Sequence, residues 1–257
     1  MGRLIIQGGR PLRGTLRING AKNATLPILA ACLLTTEPCR LRRVPKLRDV
    51  EVMVNILRQL GARVELSEDR IGERSLRVAV PELERYTIPD RLMREMRSSI
   101  FLMGPLLGRL GRVVATYPGG CDIGPRPINL HLKGLRALGA EIEERGGFIF
   151  ARAERLSGAE ITLDYPSVGA TENIIMAAVL AHGRTIIRGA AKEPEIVDLI
   201  NFLNTMGARI SGGGTDVIVI EGTNRIGGAA WEVMPDRIET GTYLIAGAIT
   251  GGEVSLL

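Results

Sequence analysis

One cysteine of this 257-residue chain sits where a thiol could do chemistry. Cys121 lies in the segment from Tyr117 to His131, which holds three glycines and three prolines in fifteen residues and joins a strand to a helix. Arg126 follows it closely, and a neighbouring cation lowers a thiol pKa and favours thiolate, whereas Asp122 opposes that shift. The residue types alone leave Cys121 open between a reactive thiol and an incidental one. Cys32, in an apolar helix, and Cys39, in a strand, read as inert packing residues. No cysteine pair has CxxC spacing, and the histidines are only His131 and His182, so neither a structural zinc site nor any other metal or cofactor is expected.

A second group could hold anions. Asn19 to Ala24 leads into an apolar helix with Lys22 and Asn23 at its start. A helix N-terminus beside a lysine is suited to an anion, although the same residues also suit a solvated cation and a cap. Comparable places carry Met96 to Ser99, with Arg97, then Ser167 to Thr171, and Asp236 to Glu239. Small polar and cationic side chains therefore recur at helix starts. That recurrence predicts that the starts line one face and hold an anionic ligand.

The elements that would position these residues form an internal repeat. Leu57–Glu65, Leu135–Glu143 and Leu203–Ser211 share one pattern: the end of an amphipathic helix, a glycine (Gly61, Gly139, Gly207), then an alternating strand. A second strand follows in each case, at Ser75–Val80, Phe148–Ala151 and Asp216–Glu221. Upstream lie helices apolar nearly all round, at Asn23–Leu34, Ser98–Leu107 and Thr171–Leu180, which should be buried. Strands at Cys39–Val44, Gly111–Thr116 and Thr185–Arg188 follow them. The unit is helix, strand, helix, strand, strand.

Three units run from residue 21 to about 230, and a fourth opens with a helix at Pro235–Thr250 and a strand at Glu253–Leu257. Three units can bury their apolar helices together; a fourth, partial one cannot join them. The expected organisation is one complete domain over 21–232, carrying the cysteine loop, and a fragment of a second from 1–20 plus 233–257. That fragment should expose apolar surface. Met1–Ile6 reads as a strand.

Composition excludes several classes. The chain is 45% hydrophobic and 24% charged with a net charge of +5, as in a globular protein with an aliphatic core. Basic residues are scattered and interleaved with acids, and aromatic platforms are few, so nucleic acid is not an expected partner. The apolar run Ile100–Leu107 is too short to span a membrane, and an odd cysteine count without a secretory signal fits the cytoplasm.

Six motifs, in order along the chain, carry a resemblance: Gly20–Ala24, Met96–Ile100, Pro118–Pro127, Pro166–Asn173, Lys192–Asp198 and Pro235–Gly241. Together they resemble the UDP-N-acetylglucosamine 1-carboxyvinyltransferases, the enolpyruvyl transferases that begin peptidoglycan synthesis, a step tied to cell wall biogenesis, cell shape and cell division. The resemblance implies an α/β fold of inside-out α/β barrel type with three repeated units per domain and a cleft between two domains. It implies transfer of the enolpyruvyl group from phosphoenolpyruvate to the 3′-hydroxyl of UDP-N-acetylglucosamine, with phosphate released. Those two molecules are the implied partners, without a cofactor, nucleic acid or membrane.

The same resemblance assigns roles. Cys121 matches a loop cysteine that protonates the methylene carbon of phosphoenolpyruvate and is the target of fosfomycin. Lys22 and Arg126 match cations that hold its phosphate and carboxylate, and Asn23 and Arg97 match ligands that position both substrates. Arg126, Pro127, Ile128, Asn129 and Leu130, with Ser167, Val168 and Gly169, match the wall for uridine and diphosphate. Asn129 stands where the family commonly has Asp, and Tyr165-Pro166 replaces a lysine-containing variant. The general base and further arginines are expected beyond Leu257, so the chain alone is expected to be inactive. A 5-enolpyruvylshikimate-3-phosphate synthase-like transferase is the alternative within the fold, which the cysteine loop disfavours. A nucleotide-sugar-binding paralogue without activity is the alternative outside enzymes.

Overall fold

A computed structural model describes residues 3–70, 72–83, 85–119 and 127–257. Its elements in chain order are β1 (Arg13–Leu16), α1 (Lys22–Ala31), β2 (Cys39–Arg42), α2 (Arg48–Gln59), β3 (Arg63–Glu68), β4 (Arg74–Ala79), α3 (Asp90–Glu95), α4 (Met103–Leu110) and β5 (Arg112–Thr116). Next come α5 (Asn129–Ala137), β6 (Glu141–Arg145), β7 (Phe148–Arg152), β8 (Glu160–Thr162), α6 (Val168–Val179), β9 (Arg184–Arg188), α7 (Pro194–Thr205), β10 (Arg209–Ser211), β11 (Val217–Glu221), β12 (Ala230–Glu232), α8 (Arg237–Ile249) and β13 (Glu253–Leu256). Short 3-10 turns at Cys32–Leu34 and Arg97–Leu102 flank α1 and α4.

The helices are inside and the sheets outside. In α1, Ala24 to Ala31 are all buried, and in α6 so are Ala170 to Val179. These two, with α4, form the centre of the core, because a helix without a polar face must be surrounded. α2, α5 and α7 have one buried stripe each and pack around that centre. Gly104 lets α4 approach α6: a Cβ there would come within 2.3 Å of the Asn173 carbonyl oxygen.

Three sheets cover the helices, in the orders β12-β2-β4-β3, β5-β7-β6 and β10-β11-β9-β8. β2 and β4 alternate buried and exposed residues, as strands with one covered face do. The repeat read from sequence is present, and each unit ends its second helix alike. Gly61, Gly139 and Gly207 have φ of 111°, 97° and 103°. Their N–H groups bond to the carbonyls of Arg58, Arg136 and Asn204, and those of Ala62, Ala140 and Ala208 reach Leu57, Leu135 and Leu203. This is the Schellman arrangement, which needs a left-handed residue at that glycine.

The structure differs from the sequence reading in four places. Each unit gains a parallel partner: β12 beside β2, β8 beside β9, and a single bridge from Thr87 to Val114. These stretches are too short to show periodicity. The helix expected at Ser98–Leu107 is a 3-10 turn that becomes α4 and runs on to Leu110. α3 was not foreseen. Leu4, Ile5 and Ile6 are in no strand and are exposed; β1 lies later and pairs in parallel with β13. Ile245 and Ile249 on α8 are exposed too, the apolar surface expected of the last unit.

Candidate active site

Helix starts meet at one cavity of about 590 Å³. Lys22 and Asn23 enter from the start of α1, and Arg97 and Ser98 from the 3-10 turn before α4. Ser167, Val168 and Gly169 come from the start of α6, Glu193 and Glu195 from that of α7, and Arg237 from that of α8. Pro127 precedes α5, and His131 lies in its first turn. The recurrence seen in sequence is thus a real convergence, and unpaired backbone N–H groups at such starts favour an anion.

The side chains are held in place. Lys22 Nζ donates to Asp49 Oδ2 at 2.9 Å, and its backbone N–H donates to Asp236 Oδ2 at 3.3 Å. Pro27 has no N–H to offer the Asn23 carbonyl one turn back. Arg97 donates to the Pro127 carbonyl at 3.2 Å. At α6, the Ser167 hydroxyl accepts from the Ala170 N–H, and the amides of Val168 and Gly169, in the first turn, have no acceptor within the helix.

The lining is more balanced in charge than a cationic pocket would be. Asp49 faces Lys22, and Glu195 accepts from Arg237 Nε at 2.9 Å. Burial, then the charges of Glu195 and Glu193, push the Glu172 carboxyl well above its ordinary range, which favours its protonated form. Burial also holds His131 low, at about 3, with the Arg97 charge adding to it. His131 is therefore a neutral imidazole.

Of the residues expected from sequence, Lys22, Asn23, Arg97, Pro127, Ser167, Val168 and Gly169 share the cavity. Ile128 and Leu130 are buried in the core beside it, and the exposed Asn129 begins α5, so none of the three is in the lining. Cys121 and Arg126 lie outside the described residues. Cys32 and Cys39 are buried, and a hydrogen bond with Cys39, followed by burial, pushes the Cys32 thiol up. Sequence reasoning missed Asp49, His131 and Glu172. Asp49 and Glu172 sit within ordinary helical patterns and carried no signal; His131 closes the glycine- and proline-rich segment, which was one. Among the described residues, no group of three or more His, Cys, Asp or Glu could hold a metal ion, and no helix is long and apolar enough to cross a membrane.

Comparison with known proteins gives these features a family context. The family model for EPSP synthase (3-phosphoshikimate 1-carboxyvinyltransferase) matches residues 6–256. A UDP-N-acetylglucosamine 1-carboxyvinyltransferase 1 from Symbiobacterium thermophilum is 56% identical over 255 residues, 99% of this chain and 58% of that protein. The protein of that name from Carboxydothermus hydrogenoformans is 51% identical, over 99% of this chain and 59% of its own length. This chain thus spans a little under three-fifths of those relatives. Among solved structures, the enolpyruvyl transferase NikO from Streptomyces tendae superposes with a TM-score of 0.80 at 24% identity, covering 93% of this chain and 56% of that one. EPSP synthase from Acinetobacter baumannii gives 0.70 at 19%, covering 96% and 55%. These two establish the inside-out α/β fold.

Proposed function

The chain belongs to the EPSP synthase family of carboxyvinyltransferases, and from that premise we propose that it forms the nucleotide-sugar-binding part of a UDP-N-acetylglucosamine 1-carboxyvinyltransferase. The reaction moves the enolpyruvyl group of phosphoenolpyruvate to the 3′-hydroxyl of UDP-N-acetylglucosamine and releases phosphate. The supporting observation is the cavity where helix starts converge with Lys22, Asn23 and Arg97 on its wall. The names of the relatives at 51–56% identity favour this acceptor over shikimate 3-phosphate.

In this reading Ser167, Val168 and Gly169 hold the diphosphate through free amides and the positive end of α6. Pro127, with the neighbouring backbone of Ile128, Asn129 and Leu130, borders the uridine. Lys22 and Arg126 hold the phosphate and carboxylate of phosphoenolpyruvate, and Asn23 and Arg97 orient the two substrates. Cys121 supplies the proton to the methylene carbon; the resulting oxocarbenium-like centre is attacked by the sugar hydroxyl, and phosphate then leaves. Residues 21–232 form the complete domain, while 1–20 and 233–257 belong to a second. The reaction is cytoplasmic, at the start of peptidoglycan synthesis. Phosphate release by this chain alone is expected to be absent.

Titration calorimetry tests the proposal. UDP-N-acetylglucosamine should bind and shikimate 3-phosphate should not; the reverse would assign the chain to the other branch of the family. Fosfomycin should add to Cys121 and spare Cys32 and Cys39, which are 1% and 0% exposed. Equal labelling of Cys32 in the folded chain would remove the role given to Cys121.

A further inference from the structure

The nucleotide-sugar reading leaves His131 without a task, yet the structure fixes its protonation and its direction. Asn173, on α6, sets both. Its Oδ1 accepts from the Gly104 N–H at 2.7 Å, and its Nδ2 donates to the Ile100 carbonyl at 3.1 Å. Turning the amide over would set an NH2 against an N–H and an oxygen against a carbonyl, so its orientation is determined. The remaining contact, Nδ2 to His131 Nδ1 at 3.1 Å, must then have Asn173 as donor. A ring nitrogen that accepts carries no proton, and the proton of the neutral ring is on Nε2.

That Nε2–H faces the cavity. His131 is 6% exposed and lines it, and among the described residues Nε2 has no hydrogen-bond partner. A Cβ added to Gly169 would lie 3.3 Å from Nε2 and 3.2 Å from Cε1, so glycine at that position keeps the donor uncovered. Beside it is the first turn of α6, capped by Ser167, and Arg97 lines the same cavity. Without a protein acceptor among the described residues, this N–H is open to an oxygen arriving in the cavity.

We propose that His131 is a binding residue for the diphosphate of the nucleotide sugar, giving its Nε2–H to a phosphate oxygen as a neutral donor, with Asn173 as the positioning residue that locks the tautomer. This rests on the nucleotide-sugar reading and deepens it. A neutral donor recognises the oxygen without adding a cation to a site that already holds Arg97.

Two measurements on the whole chain test the assignment. The chain has two histidines, so imidazole 15N spectra of the unaltered protein are readily assigned. From about pH 5 to about pH 8 His131 should show the Nε2–H tautomer, unlike a free imidazole, which titrates near 6.5. Its Nε2 resonance should move on adding UDP-N-acetylglucosamine and stay still on adding uridine. By calorimetry, His131→Leu should weaken UDP-N-acetylglucosamine binding about tenfold or more, the range for a lost hydrogen bond to a charged group. Its uridine affinity should be unchanged, and His131→Gln, whose amide N–H can reach the same oxygen, should recover most of the loss. An Nδ1–H tautomer, an Nε2 signal indifferent to the nucleotide sugar, or equal affinities in the wild type and His131→Leu would overturn the assignment alone. No binding by the wild type would overturn the nucleotide-sugar reading and this assignment with it.

Discussion

The Lys22 ammonium lies 2.9 Å from the Asp49 carboxylate, across the gap between the starts of α1 and α2. Both side chains are more than a third exposed, 39% and 36%, so the pair adds little to folding. Its effect is to hold a cation at the cavity wall until a stronger anion arrives. Lys22→Ala should therefore change unfolding free energy by less than about 1 kcal/mol. The same variant should weaken phosphoenolpyruvate binding, titrated with UDP-N-acetylglucosamine present, by about tenfold or more. Calorimetry beside a denaturant melt separates the two effects.

Arg109 should behave in the opposite way. At the far end of α4 its guanidinium donates to the carbonyls of Leu33, Thr35 and Val80 at 2.8, 2.9 and 2.7 Å. It thereby satisfies carbonyls where the first unit's apolar helix ends. Arg109→Met should cost about 2 kcal/mol, allowing for its half-buried position, and lower Tm by about 4–8 °C. Nucleotide-sugar affinity should be unchanged.

Glu172 gives a pH-dependent prediction. Its folded pKa is raised above the unfolded value, so stability is fully present below about pH 4.5 and is lost as pH rises toward the folded pKa. Oε1 has no partner among the described residues, so little is lost by replacing the carboxyl with an amide. Glu172→Gln should be more stable relative to the wild type at pH 8 than at pH 4, measured by chemical denaturation at each pH.

His131 gives the mirror image. Its folded pKa, about 3, is depressed from the ordinary 6.5, so stability is complete above about pH 6.5 and is lost as pH falls toward 3. The wild type should lose about 1.4 kcal/mol per pH unit more than His131→Gln over that interval. Equal slopes for the two proteins would show that the ring is not kept neutral.

The repeat was readable because its signals are local. A glycine such as Gly139 ends a helix by its own backbone freedom, and an apolar run such as Ile174 to Val179 can only be interior. β8 and β12 were not readable, because three residues show no period and their pairing comes from distant strands. The 3-10 geometry of Arg97–Leu102 likewise depends on neighbours: Asn173 takes up the Ile100 carbonyl. Lys22, Arg97 and Ser167 could be selected because cations and small polar residues at helix starts carry a known electrostatic meaning. Asp49 could not, since it meets Lys22 only once α1 and α2 pack together; the segment that ends at His131 is marked by its glycines and prolines, but the role of the ring depends on which nitrogen Asn173 occupies.

The most direct test of the account is a crystal structure of the chain with UDP-N-acetylglucosamine. The diphosphate should lie at the first turn of α6, within hydrogen-bonding reach of Arg97 and His131, and the uracil beside Pro127. Ligand seated instead in the separate cavity bordered by Arg17, Arg43, Lys46 and Arg74 would contradict it.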